Sequence, residues 1–308
     1  MMPKTTFGQT GLHVSPLGFG GAPAAYLAAD KQRAASMLNK LLDAGMNVID
    51  TAASYPGSEK FIGETLSHRR QEFVLISKCG SKIPESDGEA WSEKLIADTV
   101  DRALRLLKTD RIDVMLLHSC DLATLKKGEA IGALVKAREA GKIRFAGYSG
   151  DNEAAEFATT IPDVAVIETS INIVDQINLN WLGQAAEKRI GIIAKRPIAN
   201  AAWKQIQQQP GMYQSYAKEY TDRFGAIGLK LSDLGYKETD ESAWPELALR
   251  FTLSQPGVHT AIIGTTNPKH AEANVIAANK GPLPADAVGK IRAAFRQADP
   301  RGKWTGQT

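Results

Sequence analysis

The chain has 308 residues, 43% hydrophobic and 23% charged, with a formal net charge of +3, the profile of an ordinary globular protein able to bury a large core. Its densest basic spots are the pairs Arg69-Arg70 and Lys126-Lys127, so no nucleic-acid partner is expected. Only two cysteines occur, Cys79 and Cys120, which excludes a disulfide framework. They fall outside any metal-ligand spacing, so no metal is expected. Without an apolar leader or about 18 consecutive apolar residues, the reading is no membrane and a reduced, cytoplasmic setting.

Residues 4–20 read as a preamble with Gly8-Gln9-Thr10-Gly11 as a turn, and Val14 to Phe19 reads as the first strand. The following Gly18-Phe19-Gly20-Gly21 lacks the glycine spacing and downstream acid of a dinucleotide-binding loop, so a Rossmann fold is set aside. Asp30 reads as the N-cap of a helix with Met37, Leu38, Leu41 and Leu42 on its apolar face, closed by Gly45. Strand 46–50 follows, then a helix after Ser58 carrying Phe61, Ile62 and Leu66, and strand 73–77. Ser92 caps a helix with Ile96, Val100, Ala103, Leu104 and Leu107; strand 112–118 leads to a helix with Ile131, Leu134 and Val135, ended by Gly141. The alternation continues through strand 143–148, helix 152–159, strand 164–168, helix 178–188, strand 190–194, helix 244–254, strand 259–263 and helix 268–278.

Eight strands are counted, each a short continuous apolar run followed by a helix. Buried parallel strands read this way, and eight repeats are the count of a (β/α)8 TIM barrel. The class is α/β, with residues 1–308 expected to form a single domain. Two regions fall outside the count. The excursion 199–243, between the seventh strand and its helix, carries Trp203, Tyr213, Tyr216, Tyr220 and Phe224. It reads either as a functional loop or as an extra helix packed outside. The extension 281–308 has a helical stretch over 284–297 and a polar end, expected to be loose from Pro300.

Active sites of this fold sit at the C-terminal strand ends. Those ends hold Asp50, Lys78, His118, Ser149, Glu168, Lys195 and Thr265, with Tyr55 five residues beyond Asp50 in a Pro-Gly turn. Each alone has an ordinary structural explanation; together they are harder to dismiss. A phenol is a poor acid at neutral pH, and an ammonium about 4 Å away favours the phenolate by roughly 4 kcal/mol at an effective dielectric near 20. Lys78 is placed to supply that charge, Asp50 to keep the lysine protonated, and His118 to donate a hydrogen bond to a carbonyl oxygen. Carbonyl reduction needs such a site.

The chain resembles the aldo-keto reductase superfamily. The carriers are Gly45 to Ala52 with Tyr55, Gly63-Glu64, Ser77-Lys78, Leu116-Leu117-His118, Gly147-Tyr148-Ser149, and Ile263 to Pro268 with Asn274. The resemblance implies a barrel binding NADP(H), favoured, or NAD(H), and a small carbonyl or alcohol substrate. It makes Tyr55 the acid/base, Lys78 the group lowering its pKa, Asp50 the partner of Lys78, and His118 the group orienting the carbonyl. The cofactor positions it implies are Ser149, Glu168, Lys195, Arg196, Gly264, Thr265, Thr266, Asn267, His270 and Asn274, with Lys269 as a nearby cation.

Several of these depart from the family pattern. Ser149-Gly150 stands for the common Ser-Asn, and Glu168 for a glutamine. Lys195-Arg196-Pro197 stands for Tyr-Ser-Pro and removes an aromatic shelf that Trp203 is a candidate to replace. Gly264 and His270 stand where many members are basic and arginine. Substrate selection is expected from 199–243 and from Ala22 to Leu27. Two other readings are a barrel lyase using Lys78 as a Schiff-base amine and a cofactor-binding regulatory subunit. Cys79 and Cys120 read as core residues, with redox sensing requiring exposure.

Overall fold

The computed structural model describes residues 2–26, 30–205 and 214–307. Strands β1 (Thr5–Thr6) and β2 (His13–Val14) form an antiparallel hairpin. Eight parallel strands then close a barrel: β3 (Leu17–Gly20), β4 (Val48–Asp50), β5 (Val74–Cys79), β6 (Ile112–His118), β7 (Ile143–Ser149), β8 (Val164–Ser170), β9 (Gly191–Lys195) and β10 (Thr260–Ile263). Closure pairs Ala261, Ile262 and Ile263 with Leu17, Gly18 and Phe19.

The first barrel strand begins at Leu17 rather than Val14. Pro16 has no N–H for a ladder. Beside it the Ser15 amide donates to Asn47 Oδ1 at 2.7 Å, and the Asn47 amide donates to Ser15 Oγ at 2.9 Å. Val14 instead joins Phe7 and Leu12 in a buried group with Val48, Val74 and Val114 inside the barrel. At the other end, β5, β7 and β8 run past the predicted ends through Cys79, Ser149 and Ser170. Reading from residue type stopped those strands at the first polar side chains, which here still face a buried mouth.

Helices α1 (Ala22–Tyr26), α2 (Lys31–Asp43), α3 (Ser58–Leu66), α4 (Glu93–Leu107), α5 (Leu122–Lys127), α6 (Glu129–Glu139), α7 (Asn152–Ala158) and α8 (Leu182–Glu187) accompany the strands. The predicted helix 178–188 is a 3-10 turn over Ile177–Trp181 followed by α8. The capping logic holds: Asp30 accepts from the amides of Gln32 and Arg33, and Ser92 from that of Leu95. The predicted apolar faces meet the strands in one layer that includes Met37, Leu38, Ile62, Leu66, Ile96, Val100, Ile131 and Leu134.

After β9 come α9 (Gln214–Ile227), α10 (Ala243–Leu253), α11 (Pro268–Asn279) and α12 (Ala285–Ala298). The described part of the excursion is an outside helix: α9, α10 and α12 share a separate core with Tyr220, Trp244, Phe251, Ile291 and Phe295. Trp203 stacks on Trp244 at 6.1 Å and meets Phe224 edge-on, so its ring is used in packing. Tyr213 and the side chain of Tyr216 lie outside the described residues, as does Leu27.

The polar end, expected to be loose, is fastened to the barrel rim. Asn152 exchanges two hydrogen bonds with Gly306, at 2.6 and 2.9 Å. The Gln307 amide donates to Asp175 Oδ2 at 3.0 Å, and its carbonyl accepts from Ser170 Oγ and Arg196. Trp304 packs edge-on against Phe295 under the Arg223 guanidinium. These partners lie far upstream or on the preceding helix, so composition alone suggested a solvated end.

Asp175 links this end to α9, because the Tyr220 hydroxyl also donates to its Oδ2, at 2.8 Å. Burial, reinforced by Asp151, pushes the Asp175 carboxyl up to about 7 from 3.8. The folded chain therefore binds a proton that the unfolded chain has released, and stability falls as pH rises through that window. Wild type is expected to lose roughly 2–3 kcal/mol between about pH 5 and 8 through this group, and Asp175→Asn to lose none of it. Urea unfolding at both pH values checks this; parallel losses in both proteins would refute it.

Candidate active site

Side chains alternate along a strand, and that alternation builds the site. Val48, Ile76, Leu116, Val166 and Ile193 belong to the group inside the barrel. Two residues further along each strand stand Asp50, Lys78, His118, Glu168 and Lys195, on the same face at the C-terminal mouth. Registers His118↔Ser149 and Ser149↔Glu168 add Ser149 to the ring.

Lys78 lies at its centre with no exposed side-chain area. Its Nζ donates to both Asp50 oxygens at 2.6 Å and to the Thr51 carbonyl at 3.1 Å. A second carboxylate oxygen, Glu168 Oε2, lies at 3.4 Å, while Glu168 Oε1 accepts from Ser149 Oγ at 3.1 Å. Burial alone would lower the lysine's pKa, but the Asp50 and Glu168 charges reverse this and hold it above its ordinary value. Asp50 itself is raised, first by burial and then by Glu168, against the lowering pull of Lys78.

The Lys78 ammonium sits 5.5 Å from the centre of the half-buried Tyr55 ring. A cation this close to a phenol ring favours its ionised form over the neutral one. His118 meets Tyr55 edge-on, with ring centres 5.8 Å apart. Burial and then the cations Lys78, Lys195 and Arg196 push its pKa down to about 3, so the imidazole is neutral. Ser54 Oγ lies 3.2 Å from His118 Nδ1, a neighbour that sequence reasoning missed although it adjoins Tyr55. The fold thus brings all four tetrad side chains together.

A family model described as "Aldo/keto reductase family" matches residues 16–296. The chain belongs to the aldo-keto reductase family. It is an NAD(P)H-dependent oxidoreductase. The uncharacterized oxidoreductase YqkF of Bacillus subtilis is 26% identical over 311 residues, covering 96% of this chain and 97% of that protein. The L-galactose dehydrogenase of Arabidopsis thaliana is 26% identical over 285 residues, covering 88% and 86%. A solved aldo-keto reductase from Bacillus halodurans, in its holo form, superposes with a TM-score of 0.77 at 26% identity, covering 96% of each chain.

The aldo-keto reductase's departures from the family pattern have local physical causes. At Gly150 a Cβ would fall 2.3 Å from the Tyr148 hydroxyl, which donates to the Cys120 carbonyl. At Gly264 a Cβ would fall 2.4 Å from the Pro23 ring, so no basic side chain fits there. Lys195 is committed to Asp151 at 2.8 Å, and Arg196 to Ser170 Oγ and the Gln307 carbonyl. Asp151, also unnoticed in the sequence, accepts from Thr169, Ser170 and Asn178 as well. Arg196, Ala199, Asn200 and Ala201 all take positive φ, a strained run of the kind that gathers at functional sites.

Thr265, Thr266, Asn267 and His270 cluster at the start of α11, where Asn267 caps the helix and Pro268 occupies its first turn. Lys269 and His270 are exposed, whereas Asn274 is buried one turn on. Cys79 and Cys120 are buried in the core, and burial pushes the Cys120 thiol up to about 12, which leaves neither as an exposed redox sensor. Among the described residues no group of three or more His, Cys, Asp or Glu is placed to hold a metal ion, and no helix is long and apolar enough to cross a membrane.

Two carboxylates on one ammonium predict a non-additive double-mutant cycle. Asp50→Asn leaves Lys78 paired with Glu168, and Glu168→Gln leaves it paired with Asp50, so each alone should be tolerated in unfolding experiments. The double variant leaves a buried ammonium uncompensated, a loss of roughly 3–5 kcal/mol. Additive urea-unfolding energies would show that Glu168 does not balance Lys78.

Proposed function

We propose that the protein interconverts an aldehyde or ketone and the corresponding alcohol, with Tyr55 as the proton donor and acceptor. The observation carrying this reading is the buried Lys78 ammonium, held by both Asp50 oxygens and set over the Tyr55 ring, with a neutral His118 edge-on to the same ring. A bound nicotinamide cofactor supplies or accepts the hydride. In reduction Tyr55 gives its proton to the carbonyl oxygen, and Lys78 stabilises the phenolate left behind. In the tautomer in which Nδ1 accepts from the Ser54 hydroxyl, His118 carries its proton on Nε2 and offers it as a hydrogen bond to the same oxygen without transferring it. In oxidation the phenolate takes the alcohol proton.

The residues present fit such a cofactor. Glu168 Oε2 is a buried oxygen without a hydrogen-bond partner, and beside it Ser149 offers a hydroxyl for an amide-bearing ring. The capped start of α11, with Thr265, Thr266, Lys269 and His270, suits an anion, which favours NADP(H) over NAD(H). The Arabidopsis relative is named a sugar dehydrogenase, which supports a sugar-derived substrate. The lyase reading is disfavoured because a Schiff-base amine must be neutral, and Asp50 keeps Lys78 charged. A cofactor-binding regulatory subunit would keep the same tetrad, and turnover of an aldehyde panel separates it from a reductase.

Tyr55→Phe is expected to lower kcat by roughly 10²–10⁴-fold while leaving cofactor affinity within about twofold; unimpaired turnover on an aldehyde and sugar panel would sink the mechanism. At the adenosine end, His270→Arg should add a charge-assisted contact to the 2′-phosphate worth about 1.5–3 kcal/mol. NADPH binding should tighten roughly tenfold or more on that scale, with NADH unchanged. Fluorescence titration reads both, and an equal response to the two cofactors would move the phosphate away from α11.

A further inference from the structure

Ser54 stands in the turn between Asp50 and Tyr55, and the fold fixes its place from both sides. The Ala53 amide donates to the Lys78 carbonyl at 3.1 Å, and the Tyr55 amide to the Ala52 carbonyl at 3.0 Å. One turn therefore carries both Tyr55 and the hydroxyl that meets His118 Nδ1 at 3.2 Å. Among the described residues that contact is the imidazole's one hydrogen bond. The His118 backbone is pinned on β6: it lies in register with Ser149, and the next amide, of Ser119, donates to the Ser149 carbonyl at 2.7 Å. What remains to be set is the ring. With Nδ1 taken, Nε2 is the nitrogen left for a substrate. The imidazole is neutral, because burial and then Lys78, Lys195 and Arg196 push its pKa down to about 3, so it has one N–H to offer. A carbonyl oxygen only accepts, and Nε2 can hold it only when the proton is there and Nδ1 is the acceptor. A backbone carbonyl or a carboxylate beside Nδ1 would demand the opposite tautomer. A hydroxyl can donate, and Ser54 brings one.

We propose that Ser54 is a positioning residue of the reductase site: its hydroxyl donates to His118 Nδ1, keeps the imidazole proton on Nε2 and aims that N–H at the carbonyl oxygen. This rests on the carbonyl–alcohol reading above. Ser54 acts through His118 and does not touch the reacting atoms. No proton passes through the pair: Tyr55 gives the proton, and His118 lends a hydrogen bond to the oxygen as negative charge develops there. Two adjacent residues thus set both donors to one oxygen, Tyr55 directly and Ser54 through the imidazole.

Nitrogen-15 NMR of the full chain labelled in histidine reads the tautomer directly, with the His118 signals assigned by their loss in His118→Gln. At neutral pH wild type is expected to carry the proton on Nε2, with Nδ1 as the bare acceptor. Ser54→Ala should mix the two tautomers, and Ser54→Thr, which keeps the hydroxyl, should restore the wild-type pattern. A merely structural role would not move this signature. In turnover of an aldehyde panel, Ser54→Ala should lower kcat/KM by roughly two- to tenfold, the size of one neutral hydrogen bond, with cofactor affinity unchanged. In a His118→Gln background the same substitution should cost nothing further in the residual rate. A proton on Nδ1 in wild type, or an unchanged tautomer in Ser54→Ala, overturns the inference. An equal loss of kcat/KM in both backgrounds overturns it too, since Ser54 would then act on the substrate itself. The wild-type spectrum decides even if a variant fails to fold. Absence of wild-type turnover on the panel overturns the proposed function instead, while the tautomer pattern still decides whether Ser54 holds His118.

Discussion

A single buried ammonium organises this molecule. Lys78 has no exposed side-chain area, so its charge must be met within the protein. Asp50 meets it from β4 with both oxygens, the Thr51 carbonyl takes a third contact, and Glu168 approaches from β8. Only a closed barrel brings three strands that are distant in the chain to one mouth at such distances. The same charge lies 5.5 Å from the centre of the Tyr55 ring and, after burial, adds to what keeps His118 neutral.

Around this centre lies a second polar layer that belongs to the rim rather than to the chemistry. Asp151 fixes Lys195 and the backbone after β8; Asp175 ties α9 to the chain end through Tyr220 and Gln307. The left-handed residues Arg196, Ala199, Asn200 and Ala201 turn the chain sharply there. This layer takes the two cations nominated for cofactor binding, Lys195 and Arg196, into protein contacts. The β7 and β10 ends differ from the common family pattern for steric reasons: Tyr148 and Pro23 occupy the space that side chains at 150 and 264 would need.

Much of the architecture was legible in the chain. Apolar runs of strand length alternated with amphipathic stretches and with caps such as Asp30 and Ser92, because each element must bury one face and satisfy its ends locally. The gathering of Asp50, Lys78 and His118 was legible for a related reason: a titratable residue closing an apolar strand is costly unless it has a use, and these three stand at or next to such ends. Where local patterns erred, the deciding contact was remote. Asn47 stops the extended run at Ser15, and Asn152 holds Gly306 from 154 residues away.

The sequence by itself therefore determined the eight strand–helix units, the side-chain types at their mouths and the order in which they occur, since period, capping and strand length are local properties. The tertiary structure decided which charges meet. That Glu168 shares Lys78 with Asp50, that Lys195 turns to Asp151, and that the polar chain end docks under Arg196 follow from barrel closure and register. Electrostatic energies depend on distance and burial, and neither is written in any local stretch of the chain.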